Sequence, residues 1–185
     1  SQGDVIAVET PTYHGLLELI DSLGMLAIEI ETCPEAGVTI SELERTLQTH
    51  DVRACMFSTT LSNPLGVTMP EHERRRLVEL LERYDTVLID DDVGERPVPA
   101  QFLGDNKRII TCGSFSKTAA PGYRIGWVVT DTWIGKIEQL KRAFSCTSGL
   151  LQQLTLADFL ATGDYNRHIK ALRPVLKQNA ERMAA

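Results

Sequence analysis

The stretch RIITCGSFSKTAAPGYRIG, residues 108–126, begins with β-branched and apolar residues and turns directly into a polar loop. Its first five residues predict a buried strand, so the loop is expected at the carboxyl edge of a sheet. The loop holds an amine, Lys117, two hydroxyls, Ser114 and Ser116, and a guanidinium seven residues after the amine, Arg124. Ligands bind at this edge in open α/β sheets, so the stretch predicts a fold class and a site together.

An amine, hydroxyls and a guanidinium are the groups that a phosphorylated aldehyde cofactor requires. Covalent attachment needs a lysine whose ammonium form is disfavoured, and a dry site with Arg124 nearby meets that need. The alternative is a solvated Lys117 on a polar loop, since most lysines are exposed. A phosphate-binding P-loop is set aside, because that motif needs glycine where Thr111 and Ser116 stand.

A second strand end carries acids. Residues 86–89 (TVLI) predict a short apolar strand that runs straight into Asp90, Asp91 and Asp92. A carboxylate at that position can keep a pyridine nitrogen protonated and strengthen an electron sink. The alternative interpretation is a turn or a helix cap with solvated acids.

A third strand end carries an amide. Residues 54–58 (ACMFS) predict another apolar strand, and residues 59–66 (TTLSNPLG) predict a turn because they contain Asn-Pro and Gly. Asn63 in this turn can donate an amide hydrogen to a ring oxygen. By itself, Asn-Pro-x-Gly is a common loop sequence.

Taken in this order, the motifs resemble those of the pyridoxal-phosphate-dependent aminotransferases of fold type I. The sequence is most similar to the aminotransferase-like domain of the MocR branch of GntR-type transcription regulators. This resemblance extends from residues 3–13 (GDVIAVETPTY) to the last helices. The resemblance implies an α/β fold, with a doubly wound, mostly parallel sheet flanked by helices. It also implies that residues 1–185 form part of the large domain that binds pyridoxal 5'-phosphate.

The resemblance implies roles on the lysine loop. Lys117 corresponds to the residue that bonds covalently to the cofactor and moves the α-proton of the substrate. Arg124, Ser114 and Ser116 correspond to the residues that bind the phosphate. No metal is implied.

The resemblance also implies contacts to the cofactor ring. Asp91 corresponds to the residue that pairs with the pyridine nitrogen, and Asn63 to the one that bonds the ring hydroxyl. Tyr13 corresponds to the aromatic residue that stacks on the ring. From the residues alone, a half-buried tyrosine at a strand end is the preferred interpretation of Tyr13.

The chain departs from the family pattern at two points. After Val93 the family has a tyrosine that supports the ring hydroxyl, whereas this chain continues with Gly94 and Glu95. Either that tyrosine is absent, or a short segment that contains it is missing between Val93 and Gly94. The family also has a proline before the Gly-Asp pair, where this chain has Gln2 before Gly3. A complete enzyme of this type, with its large and small domains, is about twice as long as this chain. We therefore expect a fragment without the winged helix, the C-terminal small domain or the phosphate loop before Gly3, unable to transaminate alone.

Composition limits the partners. The net charge of −6 argues against a nucleic-acid surface, so DNA binding is expected only through a domain not present here. The four cysteines lack metal-ligand spacing and favour reduced thiols in a cytoplasmic protein. The sequence has no apolar stretch long enough for a membrane span.

Strand and helix patterns alternate along the chain, as in a doubly wound sheet. Strands are predicted at residues 5–9, 26–30 and 125–129, and helices at 14–23, from Thr39 to 47, from Thr68 to 84, and from 132 onward. Helical spacing of Leu150, Leu151, Leu154 and Ala157 predicts a core or dimer contact. A single domain is expected, because no linker or repeat is visible.

Three functions are compatible with these patterns. The first is the effector-sensing part of a MocR-type regulator that binds an amine or amino acid, as a homodimer. The second is a fragment of a free-standing aminotransferase acting on amino acids and 2-oxo acids. The third, from residues 87–93 (VLIDDDV), is a phosphatase of the haloacid dehalogenase type, which uses Asp-x-Asp and Mg²⁺.

Overall fold

The structure is a computed structural model that describes residues 1–91 and 107–184. The strands are β1 (Val5–Thr10), β2 (Leu26–Cys33), β3 (Gly37–Val38), β4 (Val52–Phe57), β5 (Val87–Asp91), β6 (Ile109–Ser114) and β7 (Gly126–Val129). The helices are α1 (His14–Ser22), α2 (Ile40–Thr49), α3 (Glu71–Arg83), α4 (Ile134–Ser145), α5 (Leu150–Ala161) and α6 (Asp164–Ala184).

The sheet has the strand order β3-β2-β1-β4-β5-β6-β7. Strand β1 pairs in parallel with β2 on one side and with β4 on the other, and β4, β5 and β6 continue in parallel. Only the short β3 is recorded as antiparallel, against β2, among the pairings described. The order reverses between β1 and β4, which makes a topological switch point there.

The chain divides into two compact units, and the first covers residues 1–113 and 128–135, as far as they are described. One face of its sheet packs Ala7, Cys55, Phe57 and Leu88 against leucines of α2 and α3. The opposite face packs Ile6, Val8 and Met56 against α1. Successive strand residues point to opposite faces, so these strands are apolar on both sides, as expected for a doubly wound sheet.

The second unit covers residues 114–127 and 136–185, of which 185 is not described. Its buried side chains are Thr118, Leu156, Tyr165 and Ile169. Tyr165 lies edge-on to Phe159, with 6.0 Å between ring centroids. The prediction of one domain stays a prediction, and each unit is treated by itself below.

The helix starts differ from the predicted caps. Thr39 precedes α2 but makes no side-chain capping bond, and the Glu42 carboxylate accepts from the Glu31 amide instead. The prediction for Thr68 is wrong, because α3 begins at Glu71 after Pro70. The Thr68 hydroxyl is engaged earlier, accepting from the Leu61 amide at 3.2 Å.

The helical structure predicted from residue 132 onward is present as three helices, α4, α5 and α6. The core prediction for the stripe on α5 is wrong, since Leu150, Leu151 and Leu154 are 70%, 73% and 59% exposed in this chain. Leu156 is the α5 residue that packs inside. The dimer-contact alternative for the stripe stays a prediction.

Within residues 1–91 and 107–184, none of the helices combines the length and the apolar character of a membrane span. The predicted departure after Val93, at Gly94 and Glu95, lies outside the described residues, and so does Asp92.

Candidate functional site

The lysine loop, residues 114–125, is closed by its own backbone. The Phe115 amide donates to the Ile125 carbonyl at 3.1 Å, which joins the two ends of the loop. The amides of Ala119 and Ala120 both donate to the Phe115 carbonyl, at 2.9 and 3.0 Å. The Phe115 ring packs against Trp127 with 4.8 Å between centroids, so the base of the loop is held by an aromatic contact.

This closure brings the predicted phosphate residues together. Arg124 Nη1 donates to Ser116 Oγ at 3.2 Å, and the Ser116 amide donates to Ser114 Oγ at 3.3 Å. Arg124 has a φ of 53°, in the left-handed region that is strained for a residue with a side chain. Such strain often marks functional sites. One cation and two hydroxyls in one loop are a donor set that fits a phosphate.

Lys117 lies on this loop beside Ser116 and is exposed. Its neighbour Thr118 is 3% exposed, and Thr118 Oγ1 has no hydrogen-bond partner within the described residues. A buried hydroxyl without a partner is costly, and it is a polar group that a ligand can satisfy. Sequence reasoning missed Thr118.

The predicted ring contacts lie in the first unit. Tyr13, Asn63 and Asp91 follow or end β1, β4 and β5, which are neighbouring parallel strands. The carboxyl ends of parallel strands meet at one edge of a sheet, so the structure puts all three at that edge, beside the switch point. Tyr13 is 51% exposed, Asn63 is exposed and Asp91 is half-buried.

The structure separates the roles of the two described acids of the aspartate run. Asp90 is 1% exposed, and its two carboxylate oxygens accept from the amide and the hydroxyl of Thr59, each at 3.1 Å. Adjacent strand residues face opposite sides of the sheet, so Asp91 does not share this contact surface. This geometry is compatible with Asp91 as the residue facing a ligand.

A third acid at this edge, Glu9, was missed by sequence reasoning. Glu9 is 3% exposed, and its Oε1 accepts from the Ser58 amide at 2.9 Å. Burial, together with the negative charges of Asp90 and Asp91, raises the Glu9 pKa to about 7. The sequence signal was an acid placed inside the apolar run VIAVET, where a solvated residue is not expected.

The same edge disfavours negative charge on a thiol. Cys112 is the register partner of Asp91, and its pKa is raised to about 11 by burial and then by Asp91 and Asp90. Burial, the larger cause, disfavours charge of either sign, whereas the carboxylates of Asp91 and Asp90 disfavour an added negative charge and favour a positive one. The carboxylates at this edge of the first unit therefore fit a protonated ring nitrogen, and the hydroxyls and guanidinium of the lysine loop in the second unit fit a phosphate.

The family profile described as "Aminotransferase class I and II" matches residues 1–185. The chain belongs to the class I and II aminotransferase family. The resemblance and the fold class expected from the motifs are confirmed, and membership supports pyridoxal 5'-phosphate as the cofactor. The phosphatase alternative does not fit this family.

Relatives of this aminotransferase-family chain include regulators and enzymes. It is 35% identical over 184 residues to "Uncharacterized HTH-type transcriptional regulator YjiR" of Escherichia coli, covering 96% of this chain and 39% of that protein. It is 30% identical to "Probable rhizopine catabolism regulatory protein MocR" of Rhizobium meliloti, covering 93% and 36%. The solved Pyrococcus horikoshii kynurenine aminotransferase is 31% identical with a TM-score of 0.90, covering 100% and 48%. The chain thus spans less than half the length of these proteins.

The raised Glu9 pKa predicts a pH-dependent stability of this aminotransferase-family chain. Glu9 binds a proton more tightly in the folded chain, where its pKa is about 7, than in the unfolded chain, where its pKa is the ordinary 4.5. The free energy of unfolding therefore falls as pH rises between those values, because ionising Glu9 costs more when the chain is folded. Glu9→Gln removes this dependence and keeps an oxygen that accepts from Ser58.

From pH 4.5 to pH 8, we expect the unfolding free energy of Glu9→Gln to rise by about 3 kcal/mol relative to that of the wild type. Urea unfolding of the cofactor-free proteins at several pH values measures it. Glu29→Gln, on the exposed side of β2, is the control and should follow the wild type. A constant difference for Glu9→Gln across this range would contradict the assignment.

Proposed function

We propose that this chain is the cofactor-binding, effector-sensing part of a MocR-type transcription regulator of the GntR family. The observation that carries the cofactor site is the Arg124–Ser116 contact one residue from Lys117. The regulator assignment is supported by the similarity to YjiR and MocR, which extends over more than nine-tenths of this chain. The whole protein senses an amine or an amino acid.

On the lysine loop, the Lys117 amine would hold the cofactor at its aldehyde carbon, and it would take up or return a proton at the α-carbon of the bound amine. Arg124 donates charge-assisted hydrogen bonds to the phosphate, and the hydroxyls of Ser114 and Ser116 add neutral ones. When bound, pyridoxal phosphate supplies an electron sink for the bond broken at the α-carbon.

In the first unit, Asp91 holds the proton on the pyridine nitrogen, which makes the ring a better electron acceptor. The Asn63 amide donates to the ring hydroxyl, and Tyr13 covers a face of the ring. The negative charge of the neighbouring Asp90 also favours the protonated nitrogen over the neutral one.

The partners follow from the same proposal. The protein works in the cytoplasm as a homodimer, and the exposed leucines of α5 (Leu150, Leu151 and Leu154) are candidates for contact with the partner subunit. DNA is bound through a segment outside this chain, because a net charge of −6 disfavours binding to phosphates.

A second candidate is a free-standing aminotransferase acting on amino acids and 2-oxo acids. It is favoured by the similarity to the Pyrococcus enzyme, which extends over the whole of this chain with a TM-score of 0.90. Both functions use the same site residues, so the lysine loop and the strand ends do not separate them.

The test uses the protein encoded by the intact reading frame. We expect a basic winged-helix segment before Ser1, and specific binding to DNA from upstream of its own gene, measured by fluorescence anisotropy. Adding amino acids or amines should change this affinity at least about fivefold, and only with cofactor bound. A frame without a DNA-binding segment, together with turnover of amino acids, would replace the regulator by the enzyme.

A further inference from the structure

We infer that two buried carboxyl groups, Glu9 and Asp90, position the residues that contact the cofactor ring without touching the cofactor themselves. We call this pair the carboxyl clamp. The inference rests on the proposed function, because it assigns a purpose to a contact that supports Asn63 and Asp91. Both members of the clamp and all the residues they hold lie in the first unit.

The two acids of the carboxyl clamp accept hydrogen bonds from two consecutive residues, Ser58 and Thr59, on opposite sides of the chain. Glu9, near the end of β1, accepts from the Ser58 amide at 2.9 Å. Asp90, near the end of β5, accepts from the Thr59 amide and from Thr59 Oγ1, both at 3.1 Å. Strand β4 lies between β1 and β5, and successive amides of an extended chain point to opposite sides. Ser58 and Thr59 therefore each meet a different neighbour.

These bonds take over where the backbone ladder ends. The last recorded pair between β4 and β5 is Phe57 with Asp90, and the last between β1 and β4 is Val8 with Met56. The amides of Ser58 and Thr59 come immediately after these pairs. Side-chain carboxyls thus extend the hydrogen bonding of the sheet into the loop, in a place where Glu9 and Asp90 are 3% and 1% exposed.

Such burial is expensive unless the carboxyl groups are bonded. An apolar residue of similar volume would avoid this unfavourable burial, so two acids at these positions indicate a role that an apolar residue could not fill. We infer that this role is to orient Ser58 and Thr59, because hydrogen bonds restrict distance and angle more narrowly than apolar packing does.

The loop held by the clamp carries Asn63. The Met69 amide donates to the Thr59 carbonyl at 2.9 Å, which closes the loop at its base. Inside the loop, the Ser62 amide donates to the Val67 carbonyl at 2.9 Å, and the Val67 amide to Ser62 Oγ at 3.2 Å. Because the loop is bonded to itself and stands on Thr59, a shift of Thr59 moves Asn63 with it.

The clamp also fixes the loop relative to Asp91. Asp90 is bonded to Thr59, and the next residue of β5 is Asp91. The spacing between Asn63 and Asp91 is therefore set through Thr59 and Asp90. These two residues are expected on two different atoms of the cofactor ring, so an error in this spacing weakens both contacts together.

The experiment compares Thr59→Val with Thr59→Ser in the full-length protein. Valine has the shape of threonine and removes only the hydroxyl bond to Asp90, whereas serine keeps that bond. In the cofactor-free protein, we expect the amides of Leu61, Ser62, Val67 and Met69 to exchange with deuterium about tenfold faster in Thr59→Val. Thr59→Ser should exchange as the wild type does.

With pyridoxal phosphate added, we expect Thr59→Val to raise the cofactor Kd about tenfold and to shift the pH midpoint of the visible absorbance band. Thr59→Ser should restore both values. Leu47→Ala, a core change in α2, is the control for general destabilisation. It should lower the urea midpoint without moving the pH midpoint of the band.

The outcomes separate the two proposals. If the wild-type protein binds no pyridoxal phosphate, the proposed function is wrong, and so is the role that we infer for the carboxyl clamp. A wild type that binds, together with a Thr59→Val protein of unchanged Kd and pH midpoint, overturns the clamp alone. If Thr59→Val does not fold, Asp90→Asn replaces it, because it keeps the shape and one acceptor oxygen.

Discussion

Replacing Lys117 by Ala removes the absorbance band near the visible edge that the full-length protein shows with pyridoxal phosphate. The reason is that alanine has no amine to bond with the aldehyde, so the cofactor stays as a free aldehyde. Any exchange of the α-proton of an added amino acid should also slow by at least about a hundredfold, the usual contribution of a positioned acid–base group. Absorbance titration and single-turnover mixing measure these two effects.

The control for Lys117→Ala is Lys136→Ala, which removes an exposed amine near the start of α4. This variant should keep the band and the rate. A Lys117→Ala protein with the wild-type spectrum would mean that another amine carries the cofactor, and the site assignment would then be wrong.

Replacing Asp91 by Asn lowers the rate of α-proton exchange by about 10- to 100-fold, while cofactor binding persists. Asparagine matches the shape of aspartate, but a neutral amide holds the ring proton less firmly, so the ring becomes a poorer electron acceptor. The range corresponds to a loss of about 1.5–3 kcal/mol, typical of a hydrogen bond to a charged group. Single-turnover absorbance changes with an added amino acid give the rate.

Asp51→Asn is the matched control, since Asp51 is an exposed acid just before β4. It should leave the rate unchanged. Full proton-exchange activity in Asp91→Asn would remove Asp91 from the ring contact. The effect should also be distinct from that of Asp90→Asn, which acts through Thr59 and is expected to change loop exchange in the cofactor-free protein.

The sheet was predictable because its strands are short, apolar on both faces and followed by polar loops. Residues 86–89, 54–58 and 108–112 were expected as strands, and β5, β4 and β6 lie there with ends shifted by one or two residues. The three residues Tyr13, Asn63 and Asp91 were expected at or after the ends of separate strands, and the parallel pairing of β1, β4 and β5 brings those strand ends to one edge.

Contacts between distant segments were not predictable. The bond between Thr59 and Asp90 joins residues 31 positions apart, and that between Glu9 and Ser58 joins residues 49 apart. The order of strands in the sheet decides which segments meet, and this order cannot be derived from the spacing of residues along the sequence. Glu9 therefore passed as one residue of an apolar strand, although its carboxylate accepts from the Ser58 amide.

The capping errors have a similar cause. The Thr68 and Glu71 spacing matches a capping box, but the Thr68 hydroxyl bonds back to Leu61 within the Asn63 loop. A loop that closes on itself competes for the hydroxyl that would otherwise cap the helix. On α5, Leu150, Leu151 and Leu154 recur at helical spacing, but spacing alone does not say whether these leucines are covered within the chain.

The most direct test of the site is chemical trapping of the lysine. The full-length protein is mixed with one equivalent of pyridoxal phosphate, reduced with borohydride, digested and analysed by peptide mass spectrometry. We predict that the reduced cofactor is found on the peptide containing Lys117 and that this labelling is lost when Arg124 is replaced by Ala. Labelling spread evenly over the exposed lysines, or concentrated on a lysine other than Lys117, would contradict the account.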